Sequence, residues 1–274
     1  MRRFFLFVLL GFTLGAARAP DAQLWPRWER HDATSGAVID HAAWGQFLKT
    51  YLHTDTSDGI VRIAYGAVTP QDRQALEADV QRQAAIPIDR YNPGEQLAYW
   101  TNLYNELIVM VVLQHYPVES IEHINLAAGW FGSGGPWDKK LVQVEGTGVS
   151  LNDIRNRILR PIWRDARTLY ALDDARLGSP NLQTQPFTAD NMEMLLERGA
   201  RQFVNSPRGA AVDDGRLTVS SLYLWYEADF GGTDHGVIGH LKRWADAQLA
   251  ERLATVSRIA ADHFDDRLND ATVH

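Results

Sequence analysis

The 274-residue sequence contains no cysteine. That absence excludes a disulfide framework, a thiolate nucleophile, a cysteine metal site and a lipid anchor on cysteine. Basic residues are also short: 27 Lys and Arg stand against 34 Asp and Glu, for a formal charge of −7. With no basic cluster, the chain lacks the electrostatic footprint of a nucleic-acid binder or of a protein held on anionic lipid. Beyond the first residues there is no apolar run of membrane length, which excludes stable membrane insertion once the amino terminus is removed. No internal repeat or low-complexity linker divides the chain.

What is present begins with a leader. Met1-Arg2-Arg3 is followed by an apolar core from Phe4 to Leu14, and small residues stand at Ala17 and Ala19. This is the pattern of a secretory signal, with cleavage after Ala19 or, because Pro20 is a poor neighbour for a peptidase, after Ala17. Residues 1–19 are therefore expected to be removed and the remainder exported to the periplasm or the medium. Residues 20–39 read as a loose lead, and 40–270 as one domain.

Within that domain, Asp40 is placed to cap a helix through Trp44, Phe47, Leu48 and Leu52. GIVRIAY, residues 59–65, alternates like a short strand, and Thr69-Pro70 opens a second helix. The strongest helix starts at the Asn92 cap, with Pro93 at its first position and Glu95 placed for a capping box. Its second half, LIVMVVL from Leu107 to Leu113, is apolar on every side and predicts the buried centre. Residues 118–124 suggest a short helix, and KLVQV with EGTG a hairpin. Ser150 and Asp153 cap the helix LNDIRNRIL, and TLYAL, 168–172, reads as a buried strand. Thr188 opens another helix; a strand at 216–219 and the helices SLYLWYEADF and VIGHLKRWADAQLAERLA complete the chain. The fold class expected is α+β: a helix-rich single domain with a small, mainly antiparallel sheet packed on a central buried helix.

Three blocks carry a family resemblance: EQLAYWTNLYNELIVMVVLQHYPVESI (95–121), GPWDKKLVQVEGTGVSLNDIRNRILRP (135–161) and DARTLYALDDARLGSPNLQTQPFTADNMEMLLERGARQFVNSP (165–207). Taken in order with SLYLWYEADFGG and DDRLND, they resemble the family called domain of unknown function 547, across roughly Asp40 to Asp270. The resemblance implies a fold relationship and no settled activity. Relatives usually carry histidine where this chain has Leu169 and Asn156, and cysteine where it has Asp174 and Ser179. A cysteine beside a histidine would imply thiol nucleophile chemistry. Both halves are missing here.

The candidate catalytic residues are Ser179 and Asp174. Ser179 lies in the turn LGSPNL, and a serine nucleophile needs a base within hydrogen-bond reach. His115, His123, His235 and His240 are the histidines that could supply one. LGSPNL is not the G-x-S-x-G elbow, and Pro180 removes a backbone N–H useful to an oxyanion. Adjacent carboxylates at Asp173 and Asp174 would point to opposite faces of a strand, with Arg167 or Arg176 as partner to Asp174. The candidate pocket residues are Trp100, Asn102, Tyr104 and Asn105 on the central helix, with Trp137, Asn156, Arg160, Arg167 and Asn181. A buried asparagine either satisfies loop backbone, the commoner role, or lines a pocket.

Three look-alikes carry no chemistry. ADFGG lacks the other kinase motifs, GWFGSGG lacks a following Lys-Ser, and His235 and His240 are spaced for different helix faces. No metal site or cofactor is implied. The expected function is a binding or degenerate-site domain whose partner is an unknown small molecule or peptide. The alternative is a periplasmic hydrolase or transferase using Ser179 or Asp174 with a distant histidine. A purely structural role would instead leave an exposed apolar patch.

Overall fold

The computed structural model describes residues 20–126 and 135–272. The expected leader and most of the glycine-rich loop lie outside the described residues.

Helix α3, Pro93–His115, is the axis of the molecule. Asn92 accepts the N–H groups of Gly94 and Glu95, both at 3.0 Å, and Pro93 occupies the first turn, where it leaves no hydrogen bond unmade. Glu95 does not turn back to complete a capping box; it accepts the N–H of Ile39 at 3.0 Å and ties the lead to the helix. Every residue from Glu95 to Leu113 is buried, so the whole helix is core, not only its apolar second half. Against it pack α1, Ala42–Tyr51, and α2, Pro70–Ala84, the latter capped by Thr69 with Asp72 as its sequence indicates.

The strands are short and divided among three small sheets. Strand β1, Leu52–His53, pairs antiparallel with β2, Arg62–Ile63; the rest of GIVRIAY is not strand, and Tyr65–Ala67 forms a 3-10 turn. The expected hairpin is β3, Val142–Val144, with β4, Thr147–Val149. Its turn residues Glu145 and Gly146 both have positive φ (46° and 75°), the requirement of a two-residue type I′ turn. The third sheet belongs to a second core. Strand β5, Ala210–Asp213, pairs antiparallel with β6, Arg216–Ser220, and β6 pairs in parallel with β7, Ile259–His263.

Two hydrophobic cores result. One surrounds α3. The other is built from this sheet with α5, Met192–Val204, α6, Ser221–Trp225, α7, Asp234–Trp244, and α8, Ala247–Ala254. The segment read as VIGHLKRWADAQLAERLA is thus two helices, parted where Asp246 caps α8 by accepting the Leu249 N–H at 2.8 Å. The α+β class holds, while the largest sheet packs in the second core and not on α3.

TLYAL is not a strand. Residues Ala166–Ala171 form a 3-10 helix, capped by Asp165 through the Arg167 N–H. Leu169 and Tyr170 enter the second core, while Ala171 and Leu172 enter the first. A segment wedged between two cores is apolar all round, which is the pattern a buried strand also shows.

The lead is not loose. Trp28 is buried and meets Trp100 edge to face at 5.0 Å, and Trp25 lies under the Arg157 guanidinium at 4.3 Å. The N–H groups of Gln23 and Trp25 reach the carbonyls of Asn156 and Arg157, each at 2.9 Å. Pro161, four residues after Arg157 and five after Asn156, has no N–H to offer this turn. Among the described residues no helix is long and apolar enough to cross a membrane.

Candidate functional site

The site is assembled where a distorted helix meets the turn after the 3-10 segment. Ser150 and Asp153 cap each other: the Ser150 N–H donates to Asp153 at 2.9 Å and the Asp153 N–H to Ser150 at 3.2 Å. Residues Asp153–Leu159 then wind as a π-helix into α4, Arg160–Trp163, which ends with Arg164 in the left-handed region at φ 52°. π-Helical turns recur at functional positions because they re-aim side chains. Here Arg155 is turned inward to Asp174.

Asp174 is held on three sides. Arg155 and Tyr104 both bind its Oδ1, the tyrosine donating at 2.6 Å, and Arg176 donates to Oδ2 at 3.1 Å. Arg155 also donates to the hydroxyls of Tyr104 and Tyr226, the latter at 2.9 Å. Aromatic rings enclose both guanidinium groups. Tyr104, Trp137 and Tyr226 lie within 5.9 Å of Arg155, and Trp137, Trp225 and Phe264 within 5.7 Å of Arg176. Burial pushes the Asp174 carboxyl up, but Arg155 and Arg176 outweigh it and hold the group below the usual carboxylate range. Its neighbour Asp173 is different. Its oxygens accept from the Ala175 N–H at 2.9 Å and the Asn269 amide at 2.8 Å, and burial with the adjacent Asp174 charge pushes it up to about 7. The two carboxylates do face apart, as expected, but across a turn in which Ala175 has φ 57°, not across a strand.

Ser179 is 2 % exposed. Its Oγ accepts the Asp174 N–H at 3.3 Å and its own N–H donates to the Arg176 carbonyl at 3.0 Å. Gly178 is required here, because a Cβ would stand 2.7 Å from the Asp265 nitrogen. Among the described residues no histidine nitrogen is hydrogen-bonded to Ser179 or Asp174. His115 is engaged by the Val111 carbonyl and His240 by the Tyr170 hydroxyl.

The remaining candidates separate. Asn102 clamps Phe187 through its N–H and carbonyl, and Asn105 does the same for Asp173 and Ala171, so both amides serve backbone. Trp100 is wholly buried between Trp28 and Tyr99. Asn181 holds Val61, Gly59 and Arg208. Asn156 bonds Asn152 and Arg160, and Arg160 reaches Asp229 and the Pro20 carbonyl. Arg167 does not partner Asp174; it is taken by Asp165 and Glu193. Leu169 is buried in the second core. Of the expected set, Ser179, Asp174, Tyr104 and Trp137 therefore come together. Arg155 was missed, although its helical spacing to Leu151 and Ile158 places a charge on an apolar face.

A second buried polar cluster lies between α1, α2 and α3. Gln83 donates to both Asp79 and Glu106, and Arg82 pairs with Asp79. Glu106 Oε2, Gln83 Oε1 and both nitrogens of His41 are buried without a hydrogen-bond partner. Burial, then the Asp79 charge, pushes Glu106 well above the carboxylate range, and burial lowers His41 to about 4. Among the described residues no three His, Asp or Glu side chains are grouped to hold a metal ion.

The sequence family described as "Protein of unknown function, DUF547" matches residues 88–204. The match supports the resemblance to the DUF547 family. The matched stretch is narrower than the resemblance over 40–270, and it contains Tyr104, Arg155, Asp174, Arg176 and Ser179. Tyr226 and Asn269, which complete the site in this chain, lie beyond it. No curated protein and no solved structure matches the chain.

Proposed function

We propose that this protein is an exported, non-catalytic binding domain in which a former nucleophile site has become an ion-pair network. The observation that carries the reading is the clamp on Asp174: at a position where relatives usually keep a thiol, a carboxylate is engaged by two arginines and a tyrosine. Three of the carboxylate's acceptor sites are taken by two guanidinium groups and a hydroxyl. The residue is only 6 % exposed, so it is held as a fixed counter-ion and not presented to substrate as a nucleophile or base would be. The Ser179 hydroxyl accepts from backbone, and among the described residues no imidazole is hydrogen-bonded to it. A hydrolase or transferase would require a histidine at one of these two residues.

The reading is tested with a fluorophosphonate probe that labels activated serines. The intact protein is expected to stay unlabelled; labelling that disappears in Ser179→Ala would overturn the proposal. Export is tested separately by the mass of the protein in the periplasmic fraction, which should lack the leader.

A further inference from the structure

A cavity of about 560 Å³ opens beside the carboxyl-terminal segment, within the size range of small-ligand sites. Its floor is apolar, made by the Tyr116 ring, Pro117, Val118 and Leu268, and its polar groups are Glu119 and Asp270. The cation on its wall, Arg267, is committed elsewhere: its guanidinium holds Asp265 at 2.6 and 3.0 Å. Asp270 is 3 % exposed and fixed by the Tyr116 hydroxyl at 2.8 Å and the Thr272 N–H at 3.0 Å, so one carboxylate is anchored at the end of an apolar trough. Glu119 stands exposed at the rim.

The wall is also joined to the site above. Residues 268–270 run between two isolated β-bridges, Leu268 with Arg176 and Asp270 with Ile63, with alternate side chains facing opposite ways. Leu268 and Asp270 line the cavity, while Asn269 between them binds Asp173 and the Tyr65 hydroxyl. The Leu268 N–H reaches the Glu119 carbonyl at 2.8 Å, closing the trough from the other side.

We infer that this trough binds a small amphipathic amine, its apolar body on Val118, Pro117 and Leu268 and its ammonium between Glu119 and Asp270. Charge decides the class: among the described residues the two acids have no cation paired with them in the trough, the arginine on its wall is paired with Asp265, and the whole chain is acidic at −7. An anion of the same shape would meet repulsion from both carboxylates. The inference deepens the binding reading and rests on it, but the two fail separately, since serine labelling does not involve the trough.

The test uses 2-phenylethylamine, with 3-phenylpropionate as its anionic counterpart, in NMR shift titrations of the full chain. The amine is expected to saturate, to perturb residues 116–119 and 267–270, and to bind at least about tenfold tighter than the acid. Val118→Trp should fill the trough and abolish binding without loss of fold. Glu119→Gln, at an exposed position, should weaken it about threefold. Equal binding of acid and amine, no saturation by roughly 10 mM amine, or undiminished binding to both variants would each overturn the inference. Should Val118→Trp fail to fold, the Glu119→Gln result and the acid–amine comparison decide.

Discussion

Two of the places where the molecule buries acidic side chains treat them in opposite ways. At the Asp174 site the charge is kept and answered by Arg155 and Arg176, with Tyr104 supplying a further donor. In the cluster between α1, α2 and α3, Glu106 has no cation of its own and is kept neutral by burial and the neighbouring Asp79, while His41 is kept neutral by burial, with the Arg82 charge adding to it. The first solution needs three side chains from distant parts of the chain in one geometry. The second needs only a place water does not reach. A charge matched inside is sensitive to substitution; a group neutralised inside is sensitive to pH.

The largest effect should come from breaking the matched site. Arg155→Ala leaves Asp174 buried with one arginine and is expected to cost about 3–5 kcal/mol in denaturant unfolding. Replacing both partners, as in Arg155→Met with Asp174→Leu, should cost less than the single change. If it costs more, the pair is not the unit described.

Next is His41. In the unfolded chain it takes a proton below about 6.5, whereas the folded protein resists until about 4. Unfolding then binds protons, so stability falls as pH drops through that interval, by up to about 3 kcal/mol. His41→Asn should remove this loss, seen as a difference between variant and wild-type melting curves at pH 4 and 7.

Glu106 acts with the opposite sign. Its folded state holds a proton that the unfolded chain releases near 4.5, so its contribution is lost as pH rises above that value, about 1.4 kcal/mol per pH unit. Glu106→Gln should lack this slope. Between about pH 4.5 and 6.5 the two groups oppose each other, so with rising pH the His41→Asn stability should fall relative to wild type and the Glu106→Gln stability should rise relative to it. Parallel profiles for wild type and Glu106→Gln would mean that Glu106 is charged in the fold.

How much of this was legible in the sequence divides along the same line. Local signals worked: Asn92-Pro93 and Thr69-Pro70 each start a helix, and Glu145-Gly146 turns a hairpin, because the partners involved are a few residues apart. TLYAL failed because an apolar run says only that a segment is surrounded, and what surrounds it comes from two cores assembled elsewhere. The parallel strand β7 was invisible for a similar reason, since its partner β6 lies far back in the chain. Asp174, Tyr104 and Ser179 were found from their motifs, whereas Arg155 became meaningful only once the π-helical turn brought it to a carboxylate. Asn102 and Asn105 show the converse: polar residues on a core helix suggest a pocket, yet the loops they clamp leave no room for one.

Pro161 has a consequence for the order in which the chain can become itself. A helix interrupted by proline has carbonyls it cannot satisfy alone, and here the missing donors belong to Gln23 and Trp25, with Pro20 bound by an arginine 140 residues away. As the chain emerges from a ribosome, this lead appears early but has nothing to hold until the helix arrives. The lead and residues 156–160 thus complete each other's hydrogen bonds across most of the domain's length in sequence.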